Sequence, residues 1–152
     1  MSDSTSNTQA TPIDPAELVH ALNELLEAER AGARVTRETA QQIPATQDLH
    51  GLVVDIQHDE VKWCGMLMKV IRSLHATPSD QTGAFHGKAM AIADLSERMV
   101  FLNRGQAWVV RRLQAIIPRI QDPALQAEFA LQRGDRLVQH GEFLHRNLVL
   151  HL

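Results

Sequence analysis

The 152-residue chain has one cysteine, no apolar run long enough to span a membrane, and no large charge of either sign. A lone Cys64 rules out an intrachain disulfide framework and suits a reducing compartment. A membrane-spanning helix needs about 20 largely apolar residues in succession, and no segment comes near that. With a formal net charge of −3 and acidic residues interleaved with basic ones, nothing points to a nucleic-acid or membrane partner. Strand patterning, a P-loop, a Gly-rich dinucleotide turn and a nucleophile elbow are also missing. Residues 1–13 open with a Ser-, Thr-, Asn- and Gln-rich stretch. They read as a disordered tail, not a signal peptide or anchor, and the expected compartment is the cytoplasm.

What the sequence does contain is helical punctuation. Asp14-Pro15-Ala16-Glu17 and Asp94-Leu95-Ser96-Glu97 read as capping boxes, and Asp122-Pro123 repeats the Asp N-cap with Pro in the first turn. Between these starts and the breaks at Pro44 and Pro118, apolar residues recur at helical spacing. The first helix carries Leu18, Leu22, Leu25 and Leu26. The second, from near Thr46 to about His75, carries Leu49, Leu52, Val53, Ile56, Trp63, Leu67, Val70, Ile71 and Leu74. The third carries Leu95, Met99, Leu102, Val109, Leu113 and Ile116. The fourth is expected to bury Ala127, Ala130, Leu131, Gly134, Val138, Gly141, His145, Leu148 and Val149. The connection between the second and third helices is long: Ala76 to Gly83 cannot be helical, and Phe85 to Ala93 is expected to form a short helical piece. Short–long–short connections predict two antiparallel helical hairpins joined by a crossover, in a single domain over residues 14–152.

Each stripe is interrupted by a polar residue. Glu29 lies four after Leu25, Glu60 four after Ile56, and Gln106 four after Leu102. Two similar tetrads stand out, Gln57-His58-Asp59-Glu60 and Gln139-His140-Gly141-Glu142. Three residues beyond the Glu comes Trp63 in the first and His145 in the second. Glu142-x-x-His145 sets a carboxylate and an imidazole nearly one helical turn apart, as metal-binding bundles present their ligands. By the same wheel His58 and His140 face away. Three acids directed into one core would be costly if ionised and unpaired, so some must be protonated, hydrated or metal-bound. Cys64 reads as an inert buried thiol, and Arg98, Arg104, Arg111 and Arg112 as a solvated face of the third helix.

In these motifs the chain resembles the ferritin-like superfamily, which includes bacterioferritin and rubrerythrin, over roughly residues 14–150. The resemblance implies an all-α, ferritin-like four-helix bundle with a metal site in its core. Glu29 matches the terminal carboxylate of the first helix, Glu60 and Glu142 the bridging carboxylates, and His145 one of the two imidazoles. Gln106 stands where family members with a working di-iron site have a Glu, and Trp63 where they have a His. An amide can still offer a neutral oxygen; an indole cannot ligate.

The expected site is therefore Glu29, Glu60, Gln106, Glu142 and His145, holding iron or another divalent metal such as manganese or zinc, or standing empty. Iron- or peroxide-related redox chemistry is what the resemblance implies for an occupied site; the sequence assigns no substrate. The other reading is a non-catalytic helical module, dimerising or binding a partner protein, with its polar core a relic. A homodimer is expected in either case.

Overall fold

The computed structural model describes the backbone of residues 11–150 and side chains as far as Glu142. Most of the expected tail, residues 1–10, and the side chain of His145 lie outside the described residues. The chain is helical, with α1 over Pro15–Ala40, α2 over Asp48–Ser73, α3 over Phe85–Met90, α4 over Leu95–Ile116 and α5 over Pro123–Leu150. A 3-10 turn at Ile117–Arg119 leads from α4 toward α5, and no strand occurs among the described residues. No described helix is long and apolar enough to cross a membrane.

The helix starts differ in how they are capped. Asp94 accepts the Glu97 N–H at 2.9 Å, and Asp122 accepts those of Ala124 and Leu125 at 2.9 and 3.4 Å. Asp14 makes no side-chain cap; α1 starts from an extended residue followed by Pro15. Glu17, expected to close that box, instead pairs with Arg119 at 2.6 and 2.8 Å. The Arg119 guanidinium also donates to the Thr11 carbonyl, and the Arg119 backbone carbonyl accepts the Ile13 N–H, tying the segment just before α1 to the turn before α5.

Two apolar clusters hold the helices together. One joins Leu22 and Leu25 of α1 to Leu67 and Ile71 of α2, Val109 and Leu113 of α4, and Phe129 of α5. The other joins Val35 of α1 to Val53 and Ile56 of α2 and to Met99 and Leu102 of α4. The first cluster combines the start of α1, the ends of α2 and α4, and the start of α5. Thus α1 runs with α5 and against α2 and α4. Contact is closest within the pairs α1–α2 and α4–α5, and looser between the pairs.

The long connection lies against α1. The Ser79 hydroxyl bonds Glu27 at 2.6 Å, its N–H bonds Asn23 at 2.7 Å, and Arg30 donates to the Gln81 carbonyl at 2.8 Å. α3 then crosses toward α4, where the Phe85 ring stacks on Phe101 with centroids 4.9 Å apart. Gly105 makes this approach possible, since a Cβ there would stand 2.9 Å from the Phe85 ring. Arg98 corrects the expectation of a solvated arginine face. It is buried, and its guanidinium donates to the Ile92 carbonyl, Gln42 and Thr39, fastening the end of the crossover to α1.

The stripes of α1, α2 and α4 are buried over most of their length, with Leu49, Val70 and Leu95 half-buried; Leu74, expected to be buried, falls just past the end of α2 and is exposed. The expected stripe of α5 is not buried. Leu131 is 66% exposed and Val138 64%, Ala127 and Gly141 are also exposed, and nothing stands within 4 Å of a Cβ built on Gly134. The buried residues are Phe129, Gln132, Arg136 and Gln139. The helix is turned by roughly half a revolution, ~170°, from the orientation its apolar residues predict.

Candidate functional site

A polar layer separates the two apolar clusters. Glu29 of α1, Glu60 of α2, Gln106 of α4 and Gln132, Arg136 and Gln139 of α5 are all buried there. Each sits in the helical register of its element's buried face, so the backbone delivers all six to one level. Gly32 makes the closest part of this fit. A Cβ on it would come within 2.5–2.7 Å of the Glu60 carboxyl group, so only glycine leaves room for that group beside α1. The nearby Thr36 hydroxyl is committed to the Gly32 and Ala33 carbonyls of its own helix.

Arg136 is the centre of the layer. It is 1% exposed, with Nε 3.3 Å from Glu29 Oε1 and Nη1 3.7 Å from Glu60 Oε1. The first contact is close enough for an ion pair but not aligned as a hydrogen bond, and Nε and Nη2 lack hydrogen-bond partners. Nη1 donates to Gln139 Oε1. Chemistry fixes the amides that follow. A guanidinium only donates and a carboxylate only accepts, so Gln139 must turn Oε1 to Arg136 and Nε2 to Asp59, 2.6 Å away. Gln106 donates its Nε2 to the same Gln139 oxygen at 3.1 Å, which leaves Gln106 Oε1 without a donor. Gln132 donates to Glu29 Oε1 at 3.2 Å. Glu29 Oε2 and Glu60 Oε2 are buried and unpaired.

Burial raises both carboxyl groups above the ordinary glutamate range. Arg136 and the Gln132 amide partly offset this for Glu29. Glu60 stands well above that range: burial is the main cause, Arg136 opposes it, and the charge of Glu29 adds to it. Glu60, with the longer contact to Arg136, is the group that holds the proton. Cys64 also behaves as expected of an inert thiol, pushed up to about 12 chiefly by burial.

The layer borders a cavity of about 390 Å³ between α1, α3 and α4. Glu29, Glu60, Gln106 and Arg136 form its polar end. Its walls are apolar and partly aromatic, including Phe85, Phe101, Leu102 and Val109. Exposed Arg104, Trp108 and Arg111 also line it, so it reaches the surface along α4.

Of the five residues expected to form a metal site, the fold brings three together: Glu29, Glu60 and Gln106. Glu142 is exposed and lies along a groove with Asp55, His58 and Asp59 of α2. His145 falls outside the described side chains. Trp63 is buried, but its ring N–H bonds Asp135 at 3.1 Å and does not reach the core acids. Among the described residues no three His, Cys, Asp or Glu side chains are grouped to hold a metal. These residues do not fit a di-iron centre, because a permanently charged guanidinium already lies against both carboxyl groups. Apolar periodicity could not find Arg136. The usable signal was the surplus of core acids, set beside the polar spacing Gln132-x-x-x-Arg136-x-x-Gln139.

The family model of a domain of unknown function, DUF6306, matches residues 16–140. That span includes every member of the polar layer and stops short of Glu142 and His145. No curated protein matches the chain, and no solved structure does.

Proposed function

The chain belongs to the DUF6306 family, and for it we propose a ferritin-like four-helix bundle, over residues 14–152, that binds a small organic molecule in its core. The two helical pairs, their directions and the crossover support the ferritin-like reading. In this proposal the Arg136 guanidinium takes the place of a core metal, and the adjoining cavity is the binding site. The observation that carries it is the position of Arg136, fully buried between Glu29 and Glu60 at the end of an apolar cavity. Cavities of this kind, apolar with a few convergent polar groups, are the usual form of small-molecule sites.

Two measurements on the full chain test the proposal. Elemental analysis of protein purified without chelator or metal-binding tag is expected to find no stoichiometric iron, manganese or zinc. Titration with the fluorescent probe 1-anilinonaphthalene-8-sulfonate is expected to saturate at one site, and to fail in Ala28→Phe, which fills the cavity. Stoichiometric metal that disappears in Glu60→Ala would replace this reading with a metal site built on Glu29, Glu60 and Gln106, with Glu142 and His145 as further ligands. Probe binding unchanged by Ala28→Phe would sink the cavity as the binding site.

A second reading, the dimerising helical module, is favoured by the outward apolar face of α5, with Leu131, Leu137 and Val138 exposed. The two readings are compatible, and a homodimer is part of the proposal.

A further inference from the structure

The polar end of the cavity is unbalanced. Glu29 Oε2, Glu60 Oε2 and Gln106 Oε1 are three buried oxygens with no donor, against two Arg136 donors, Nε and Nη2, that are not aligned on any acceptor. Among the described residues Arg136 is the only cation at that end, facing two carboxyl groups. Because the contacts of Gln139 dictate the Gln106 orientation, its unpaired carbonyl is a property of the network and not an arbitrary amide assignment. A buried acceptor without a donor is costly, so a ligand that supplies donors gains what the protein alone leaves unmet.

We propose that the cavity takes a primary amine with an apolar body, its ammonium set among Glu29, Glu60 and Gln106. This rests on the reading that the cavity binds a small organic molecule. An ammonium offers three N–H donors and one positive charge; as it enters, Glu60 gives up the proton it holds, so that three acceptors meet three donors and two carboxylates face two cations. A divalent ion fits less well: it needs more oxygen ligands than three and would sit against Arg136. A carboxylate ligand would add a third acid to the two already there. The body of the amine lies along Phe85, Phe101 and Val109, which present apolar surface. Arg104 and Arg111 line the outer part of the cavity and repel a second positive charge, so monoamines are preferred over polyamines.

The experiment is calorimetric titration of the full chain with 2-phenylethylamine, 2-phenylethanol, 3-phenylpropionate, spermidine and Mn(II). The amine is expected to bind at least about tenfold more tightly than the alcohol of the same shape, as charge-assisted hydrogen bonds outweigh neutral ones. Spermidine and 3-phenylpropionate are expected to bind more weakly than the amine. Glu29→Gln and Glu60→Gln should lose the preference for amine while keeping alcohol binding, which shows that the cavity remains folded. Gln106→Leu, which changes no charge, should reduce the preference to a smaller extent. Equal binding of amine and alcohol overturns the inference, as does tightest binding by 3-phenylpropionate or by Mn(II). If the anilinonaphthalene probe binds but the amine has no advantage, only the amine inference fails. If neither it nor any phenyl compound binds, the cavity reading fails with it.

Discussion

The tetrads Gln57-His58-Asp59-Glu60 on α2 and Gln139-His140-Gly141-Glu142 on α5 share three of four residues and are presented to the core in opposite ways. On α2 the Glu is buried and the Gln is at the edge; on α5 the Gln is buried and the Glu is exposed. The difference comes from what lies one and two turns away. Glu60 is in register with Ile56, Trp63 and Leu67, so burying the apolar face of α2 buries the acid with it. Gln139 is in register with Arg136, Gln132 and Phe129. Burying that face costs the desolvation of a guanidinium, but it puts a cation beside two acids that otherwise have none. Leu131 and Val138 are left outside as a consequence. Charge neutralisation decides the rotation of α5, and apolar periodicity decides that of α2.

The largest expected effect comes from removing the cation. Arg136→Met strands two buried carboxyl groups and is expected to cost about 3–5 kcal/mol in urea denaturation. Glu142→Ala, at the exposed end of the α5 tetrad, should stay within about 0.5 kcal/mol. Equal losses from the two would mean that both tetrads face the core, and the comparison would collapse. Next comes Glu60→Gln, read against pH. Burial holds the Glu60 carboxyl well above its ordinary 4.5, so the native state keeps a proton that the unfolded chain releases. Stability from this group is therefore intact below pH 4.5, and falls as pH rises toward the raised folded value. Glu60→Gln removes that decline. Thermal melts of variant and wild type should diverge in the variant's favour with rising pH, by about 1.4 kcal/mol for each pH unit within that window. Parallel curves would show that Glu60 is ionised in the fold.

How much of this could be read from the sequence follows from the same two helices. The registers of α1, α2 and α4 were legible because each has one dominant apolar stripe, with Glu29, Glu60 and Gln106 set inside it. The crossover helix was legible from the non-helical Ala76–Gly83 segment and the apolar residues after it. On α5 two faces compete, one small and apolar, the other polar but able to neutralise the core. The spacing of Leu131 and Val138 is visible in one dimension; the need of Glu29 and Glu60 for a cation appears only once α1 and α2 are placed beside α5. Arg98 was missed for the same reason, since its partners Ile92, Thr39 and Gln42 come from the crossover and from the end of α1.

The smallest effects concern glycine, and they separate the two helical pairs most finely. Ala replacing Gly inside a helix ordinarily stabilises by about 0.5–1 kcal/mol. At Gly32 the added methyl would meet the Glu60 carboxyl group at 2.5 Å, so Gly32→Ala is expected to destabilise by about 1–3 kcal/mol. Much of that loss should vanish in the Glu60→Ala background, where the obstacle is gone. Gly141 on α5 holds the place that Asp59 holds on α2, and nothing stands within 4 Å of a Cβ built on it. On an uncovered face Gly141→Ala would stabilise by the ordinary helical increment of about 0.5–1 kcal/mol and leave sedimentation velocity unchanged. With the proposed homodimer seated on the face of Leu131, Val138 and Gly141, the variant is expected to sediment more slowly and melt earlier. The rotation of α5 would then serve two ends at once: neutralising the core acids on one side and presenting an apolar contact surface on the other.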